Sequence, residues 1–395
     1  MSDGEIPTLT ALLTGLTTDP DQTAENWRKS FGGGIDPFLE IDWAQVCLLA
    51  LQHRVEGLLA AGLRASGAQE ATPVSVLSAL GRRSELAEVR YTACYDVLRE
   101  LERREPGLVH DLVFFKGAHL ATLYDSPAQR MVGDFDFIVA GERLEQLRGL
   151  FLSLDFWEKP GKNGPTFFGP ALDPQLGSTR VVFDVHLDAP PKYNRTGQST
   201  GAVWRSSAER MLLGEVPCLR LPRELELLEV LVHATEHAGS WLHVCLDDDV
   251  RLIRHLDVEL LCASGEVDGS RVGELARQLG LTGELAVGLA MQRALRGALP
   301  AALEPLTAWA DAAADLVDVI ALPEGGTVTW DEPLDSRAFR TDRSTRALAM
   351  MPAGSRRRDE WFDWRKGLVR GQEDVAQIAG QASERLSDVL PGRTG

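Results

Sequence analysis

The sequence predicts an α/β (α+β) fold: a small mixed sheet between a helical N-terminal region and a helical C-terminal region. Three observations carry this. The first 110 residues place apolar side chains at helical spacing. Three short segments between residues 112 and 186 are rich in β-formers, and the last two alternate with period two. From about residue 222 the helical spacing returns. The corresponding units are 1–110, 111–221 and 222–395, and 395 residues suffice for two or three domains of roughly 150 residues.

In chain order, 43–64 (WAQVCLLALQHRVEGLLAAGLR) reads as a helix, and 76–104 repeats the pattern with strong helix formers. FGGGID at 31–36 and SGAQEATP at 66–73 interrupt the run. Leu112–Phe115 is a short apolar strand ending at Lys116-Gly117, and a helical piece over about 118–125 follows. Phe135, Phe137 and Val139 alternate with Asp134, Asp136 and Ile138, which predicts a second strand. A helix over 141–152 and a polar, Gly- and Pro-rich stretch at 158–178 lead to a third strand, Arg180–His186. There Val182, Asp184 and His186 share one face. Pro222 opens a helix through ELELLEVLVHATEH, and 246–262 and 282–298 read as further helices. The tail closes in a polar helical segment around 371–390.

Composition narrows the function. The chain is 44% hydrophobic and carries nine Trp, as folded globular proteins do. No apolar run approaches the roughly 18 residues of a membrane span, and the first residues lack the pattern of a secretory signal. Five scattered Cys without a CxxC pair fit a reduced, cytoplasmic protein. A net charge of −17 disfavours nucleic acid as a partner. The basic run Arg356–Arg358 reads as a solvated patch.

Chemistry concentrates in 112–140. Asp134 and Asp136, two apart on a strand, project from one face and can clamp Mg²⁺, which prefers oxygen ligands and shares its shell with phosphates. Lys116-Gly117 opens a helix whose N–H groups suit a phosphate, and Gly117 permits close backbone approach. Arg130 could neutralise triphosphate oxygens or pair with an acidic neighbour such as Asp134. Asp184 adds a third carboxylate, as two-metal phosphoryl transfer requires. His186 shares its face, either in the site or as a structural group.

These motifs resemble the nucleotidyltransferase-fold (polymerase beta-like) superfamily, and within it a family of uncharacterised bacterial nucleotidyltransferases. The likeness spans about residues 40–265. It rests on Lys116, Gly117, Leu120, Tyr124, Arg130, Gly133, Asp134 and Asp136, then Phe183-Asp184-Val185-His186, then His233, His237 and one of Asp247, Asp248 or Asp249. The superfamily usually has Gly-Ser after its first strand. Gly117-Ala118 lacks that hydroxyl, so Lys116 would take over part of its role. The resemblance implies a sheet of nucleotidyltransferase type and an enzyme moving a nucleoside monophosphate, AMP from ATP, onto a hydroxyl or similar group of a small molecule, peptide or protein. Mg²⁺ or Mn²⁺ would sit on Asp134, Asp136 and Asp184, with Lys116, Gly117, Arg130 and His186 around the nucleotide and His233, His237 and Asp248 in the substrate cleft.

Three other readings remain. A glycosyltransferase also uses DxD, but after an α/β nucleotide-sugar unit that residues 1–110 do not resemble. A catalytically degenerate nucleotide-binding module would keep the fold alone. HATEH at 233–237 matches the HxxEH of inverted zinc peptidases, a reading that leaves the DxD strand unexplained.

Overall fold

The computed structural model describes residues 5–31, 36–39, 41–161, 164–172, 180–187, 200–322 and 327–350. The basic run Arg356–Arg358 and the helix expected around 371–390 lie outside them.

Among the described residues six α-helices precede the sheet: α1 (Glu5–Thr14), α2 (Pro20–Phe31), α3 (Asp36–Leu39), α4 (Trp43–His53), α5 (Glu56–Ser66) and α6 (Val74–Arg104). The single helix expected over 43–64 is thus two. Asp42 caps α4 by accepting from the amides of Ala44 and Gln45. Arg54 then turns into the left-handed region (φ 57°), donating its N–H to the Ala50 and Leu51 carbonyls. Composition hides the break because Arg54 and Val55 are ordinary helix residues.

The central segment contributes β1 (Val113–Phe115), α7 (Gly117–Leu120), β2 (Phe135–Ile138), α8 (Gly141–Ser153), β3 (Trp157–Lys159), β4 (Thr166–Ala171), β5 (Arg180–His186), α9 (Thr200–Ser207), β6 (Glu209–Leu213) and β7 (Val216–Arg220). They form a seven-stranded mixed sheet in the order β3-β4-β5-β2-β1-β7-β6. The three expected strands are its centre. Four more flank them, including β3 and β4 inside the stretch expected to be irregular. Gly169-Pro170 breaks the alternation of β4 in the sequence, yet Phe167 is buried and Phe168 stacks on Trp157 across the pair, centroids 4.2 Å apart. The helix expected over 118–125 is shorter: one α-turn, α7, then a 3₁₀ turn at Ala121–Leu123.

After the sheet come α10 (Arg223–Ala238), α11 (Trp241–Cys245), α12 (Leu252–Ala263), α13 (Gly269–Leu279), α14 (Thr282–Arg296), α15 (Thr307–Ala312), the hairpin β8 (Val319–Ala321) and β9 (Thr327–Thr329), α16 (Leu334–Ala338) and α17 (Arg343–Met350). The helix expected from 246 begins only at Leu252, because Asp247 takes a left-handed conformation (φ 54°) and the Asp run forms a turn.

One sheet face is apolar. Phe114, Phe135, Phe137, Phe183 and Val185 pack there against Tyr91, Cys94 and Leu98 of α6 and Leu147 and Phe151 of α8. The other face carries Phe115, Ile138 and the carboxylates of Asp136 and Asp184, with α10 and α12 beyond. Helices from both ends of the chain share one core there: Leu12, Trp27 and Val46 cluster with Leu228, Leu256 and Leu289.

Candidate active site

The site begins with strand register. β2 and β5 run parallel with Asp136 opposite Asp184 and Ile138 opposite His186, so both carboxylates leave the same face. Asp134 lies one residue before β2, exposed at the mouth of the same cleft. That cleft, of about 420 Å³, is lined by Asp134, Asp136 and Asp184 on the sheet side.

Each carboxylate has distinct neighbours. Asp136, 4% exposed, accepts through Oδ1 from Lys116 Nζ at 2.9 Å and from His186 Nε2 at 3.1 Å. Burial alone would raise its pKa, but Lys116 and His186 hold it down at about 2. Asp184 accepts from the Thr166 hydroxyl at 2.8 Å, and its other oxygen is 3.4 Å from His186 Nε2. Burial alone would lower the His186 pKa, but the two carboxylates push it up to about 9, so this imidazole is a cation bridging β2 and β5. Its Nδ1, buried, has no hydrogen-bond partner among the described residues. Enclosure by the cleft walls, then the charge of Asp136, raise Asp134 to about 6.

Lys116, at the end of β1, has a left-handed backbone (φ 52°), and its side chain donates to Asp136. Nζ also lies 3.9 Å from buried Glu229 of α10. Gly117 leaves room for Arg130: an added Cβ would sit 3.1 Å from Nη1 and 3.0 Å from Val132. Arg130 lines the cleft but is otherwise committed. Its Nε and Nη2 donate to both oxygens of buried Asp257 at 2.8 and 2.7 Å, and the Tyr124 hydroxyl donates to the same carboxylate. The expected triphosphate contact therefore starts from a guanidinium already neutralised, and the alternative pairing with Asp134 is replaced by Asp257.

Of the three candidate aspartates after the histidines, Asp248 faces the cleft. Asp249 is fully buried between Arg337 at 3.6 Å and Arg343 at 3.1 Å, and Asp247 caps Ser344. Asp248 pairs with Arg251 and lies 3.6 Å from both His237 and His243. Burial alone would raise its pKa, but these neighbours hold the carboxyl well below the ordinary range. Burial, only partly offset by Asp248, lowers His237 to about 3 and leaves it neutral. Arg254 Nη2 donates to His237 at 3.1 Å and approaches His233 Nε2 at 3.5 Å. His237, His243 and Asp248 could geometrically hold a metal, but Arg251 and Arg254 stand against them and oppose a cation there. Glu236, the base of the peptidase motif, is exposed and does not line the cleft.

The wall facing the carboxylates contains residues that sequence reasoning missed: Arg54, Arg251, Arg254 and Asp257. Part of this was legible. Arg251, Arg254 and Asp257 recur every three residues in an otherwise apolar stretch, a polar stripe that a purely structural helix would not bury. Nothing local marks Arg54.

Residues 40–297 match the family described as uncharacterised nucleotidyltransferases. The chain belongs to this family. A solved structure, of an antigenic nucleotidyltransferase-like protein from Paracoccidioides brasiliensis, is 16% identical over 57% of this chain and 93% of its own. The TM-score of the pair is 0.36. No curated protein matches the sequence. Among the described residues no helix is long and apolar enough to cross a membrane.

Proposed function

We propose that this family member is a divalent-metal-dependent nucleotidyltransferase that moves a nucleoside monophosphate, AMP from ATP, onto a hydroxyl of a small molecule, peptide or protein. The observation that carries the reading is the convergence of Asp134, Asp136 and Asp184 on one side of a cleft whose other side is cationic. The donor set suits Mg²⁺ or Mn²⁺: all three side chains offer hard oxygen, Asp136 and Asp184 bring theirs within 4.8 Å of each other and of a His186 nitrogen, and Asp134 lines the same cleft. When bound there, the metal would offset charge on the transferred phosphoryl group.

The chain's own residues do the rest. Lys116 and protonated His186 fix the Asp136 carboxylate in place, and His186 ties it to Asp184. Gly117, open to close approach, and Lys116 receive phosphate oxygens. Asp184 takes the acceptor's proton as its oxygen bonds to the α-phosphorus and the bond to the pyrophosphate leaving group breaks. His233, His237 and Asp248 stand where the acceptor enters. The lining set balances five acidic residues against five Lys and Arg, so a triphosphate already neutralised by two divalent cations enters without net electrostatic cost.

An acceptor screen tests the reading. The full chain is incubated with Mg²⁺, one nucleoside triphosphate at a time and a metabolite and peptide extract, and products are read by mass spectrometry. Products heavier by one nucleoside monophosphate, lost in Asp136→Asn, are expected. Nucleotide binding without any such product would assign the chain to non-catalytic nucleotide binding.

A further inference from the structure

The helical wall of the cleft holds three guanidinium groups with one carboxylate to share. Arg54 comes from the break between α4 and α5, Arg251 and Arg254 from the start of α12, and Asp248 is the acid among them. The Arg54 guanidinium lies so close to Gly133 that a Cβ there would meet Nη1 at 2.9 Å, which sets it beside Asp134. It has no hydrogen-bond or ion-pair partner among the described residues. Arg254 is 6% exposed, and its Nη1, buried in this wall, likewise has no hydrogen-bond partner among the described residues. Burial, together with the other arginines, pushes Arg251 down to about 9 and Arg254 to about 10. A cluster of cations packed this way is unfavourable unless an anion arrives.

We infer that Arg54, Arg251 and Arg254 form a phosphate-binding subsite that takes the diphosphate end of the nucleoside triphosphate, the part released as pyrophosphate. The inference rests on the nucleotidyltransferase reading and adds where the leaving group is held. Arg130 is saturated by Asp257 and Lys116 is paired with Asp136, whereas Asp248 is the one carboxylate among the described residues within ion-pair distance of any of these three arginines, reaching Arg251 and Arg254. They converge from two elements, Arg54 from the turn that ends α4 and Arg251 and Arg254 from the start of α12. Guanidinium groups bind phosphate oxygens in pairs, so a diphosphate engages more of them than a single phosphate does. His237 and His233, accepting from Arg254, and Asp248, holding Arg251, act as positioning residues that fix the fork directions.

The test uses inorganic pyrophosphate and inorganic phosphate as probes, titrated calorimetrically into the full chain with chelator present, which removes the carboxylate metal site from the experiment. Pyrophosphate should bind at least tenfold more tightly than phosphate. Arg251→Gln and Arg254→Gln should each weaken pyrophosphate at least tenfold, and so should Arg54→Gln, whose guanidinium supports no contact the fold needs. Melting temperatures of the unliganded variants should not fall in step with affinity, because removing one of three crowded cations relieves repulsion. Pyrophosphate affinity unchanged in folded Arg54→Gln and Arg254→Gln would overturn the inference. So would equal affinity for the two anions, which would point to a phosphorylated acceptor. A chain that binds pyrophosphate this way yet transfers no nucleotide would contradict the proposed reaction alone.

Discussion

At Asp136 two cations meet one oxygen, while at Arg130 two nitrogens meet one carboxylate, and the two arrangements serve opposite ends. Asp136 is held ready inside a cleft, whereas Arg130 and Asp257 are 8% and 1% exposed and satisfy each other. Breaking a buried pair leaves an uncompensated charge, at a cost of about 3–5 kcal/mol. Arg130→Ala and Asp257→Ala should therefore each lose stability of that order in urea unfolding, with any loss of nucleotide affinity secondary. Asp184→Asn should leave stability within about 1 kcal/mol, since amide and carboxylate both accept from Thr166. The histidines give a further expectation at this scale. Arg254 already donates to His237, so protein purified without chelator or added zinc should contain far less than one zinc per chain; stoichiometric zinc lost on replacing His233 or His237 would revive the peptidase reading. Asp134, Asp136 and Asp184 were legible because period-two strands state which side chains share a face. Arg54 was not, because what makes it a site residue is a contact with Gly133, far away in sequence.

The elements show the same division. The three central strands announce themselves in the sequence, β1 as a continuous apolar run and β2 and β5 by period-two alternation, whereas β3, β4, β6 and β7 are edge or near-edge strands with half-exposed patterns. Helix existence was legible, but the break at Arg54 was not, since it is set by a left-handed turn and by what lies beneath it. His53, fully buried at the end of α4, joins three elements: its Nε2 meets the Ala338 carbonyl of α16 at 3.0 Å, and its Nδ1 accepts from the Leu252 amide of α12 at 3.1 Å. Burial, then the charge of Arg343, lower its pKa to about 3, and burial lowers His255 to about 4. Both are neutral in the fold and titrate near 6.5 when unfolded, so the unfolded chain takes up protons first. The stability they contribute is present above about pH 6.5 and declines as pH falls toward 4, by up to about 1.4 kcal/mol per pH unit for each group. Urea midpoints measured from pH 7.5 down to 4.5 should fall accordingly. A midpoint flat across that range would contradict the buried neutral state.

On the scale of the whole molecule, helices before and after the sheet contribute to one hydrophobic core. Arg296 of α14 donates to the carbonyls of Thr14 and Leu16, tying the two ends together. Residues 40–297 alone would uncover Trp27, Leu12 and Leu334 contacts of that core. That fragment should lack a cooperative melt, which differential scanning calorimetry would reveal. The acidic balance was legible from composition; the local gathering of five cations into one cleft of a chain at −17 was not, because it depends on helices far apart in sequence meeting over one face of the sheet. The central claim, that Asp134, Asp136 and Asp184 hold a divalent cation together with a triphosphate, is tested most directly by electron paramagnetic resonance of Mn²⁺. Free Mn²⁺ is titrated into the protein with a non-hydrolysable nucleoside triphosphate, and the bound fraction is compared with that of an Asp134→Asn, Asp136→Asn double variant. Manganese uptake by the wild-type chain above that of triphosphate alone, abolished in the folded double variant, is the predicted result; uptake equal in both proteins would contradict it.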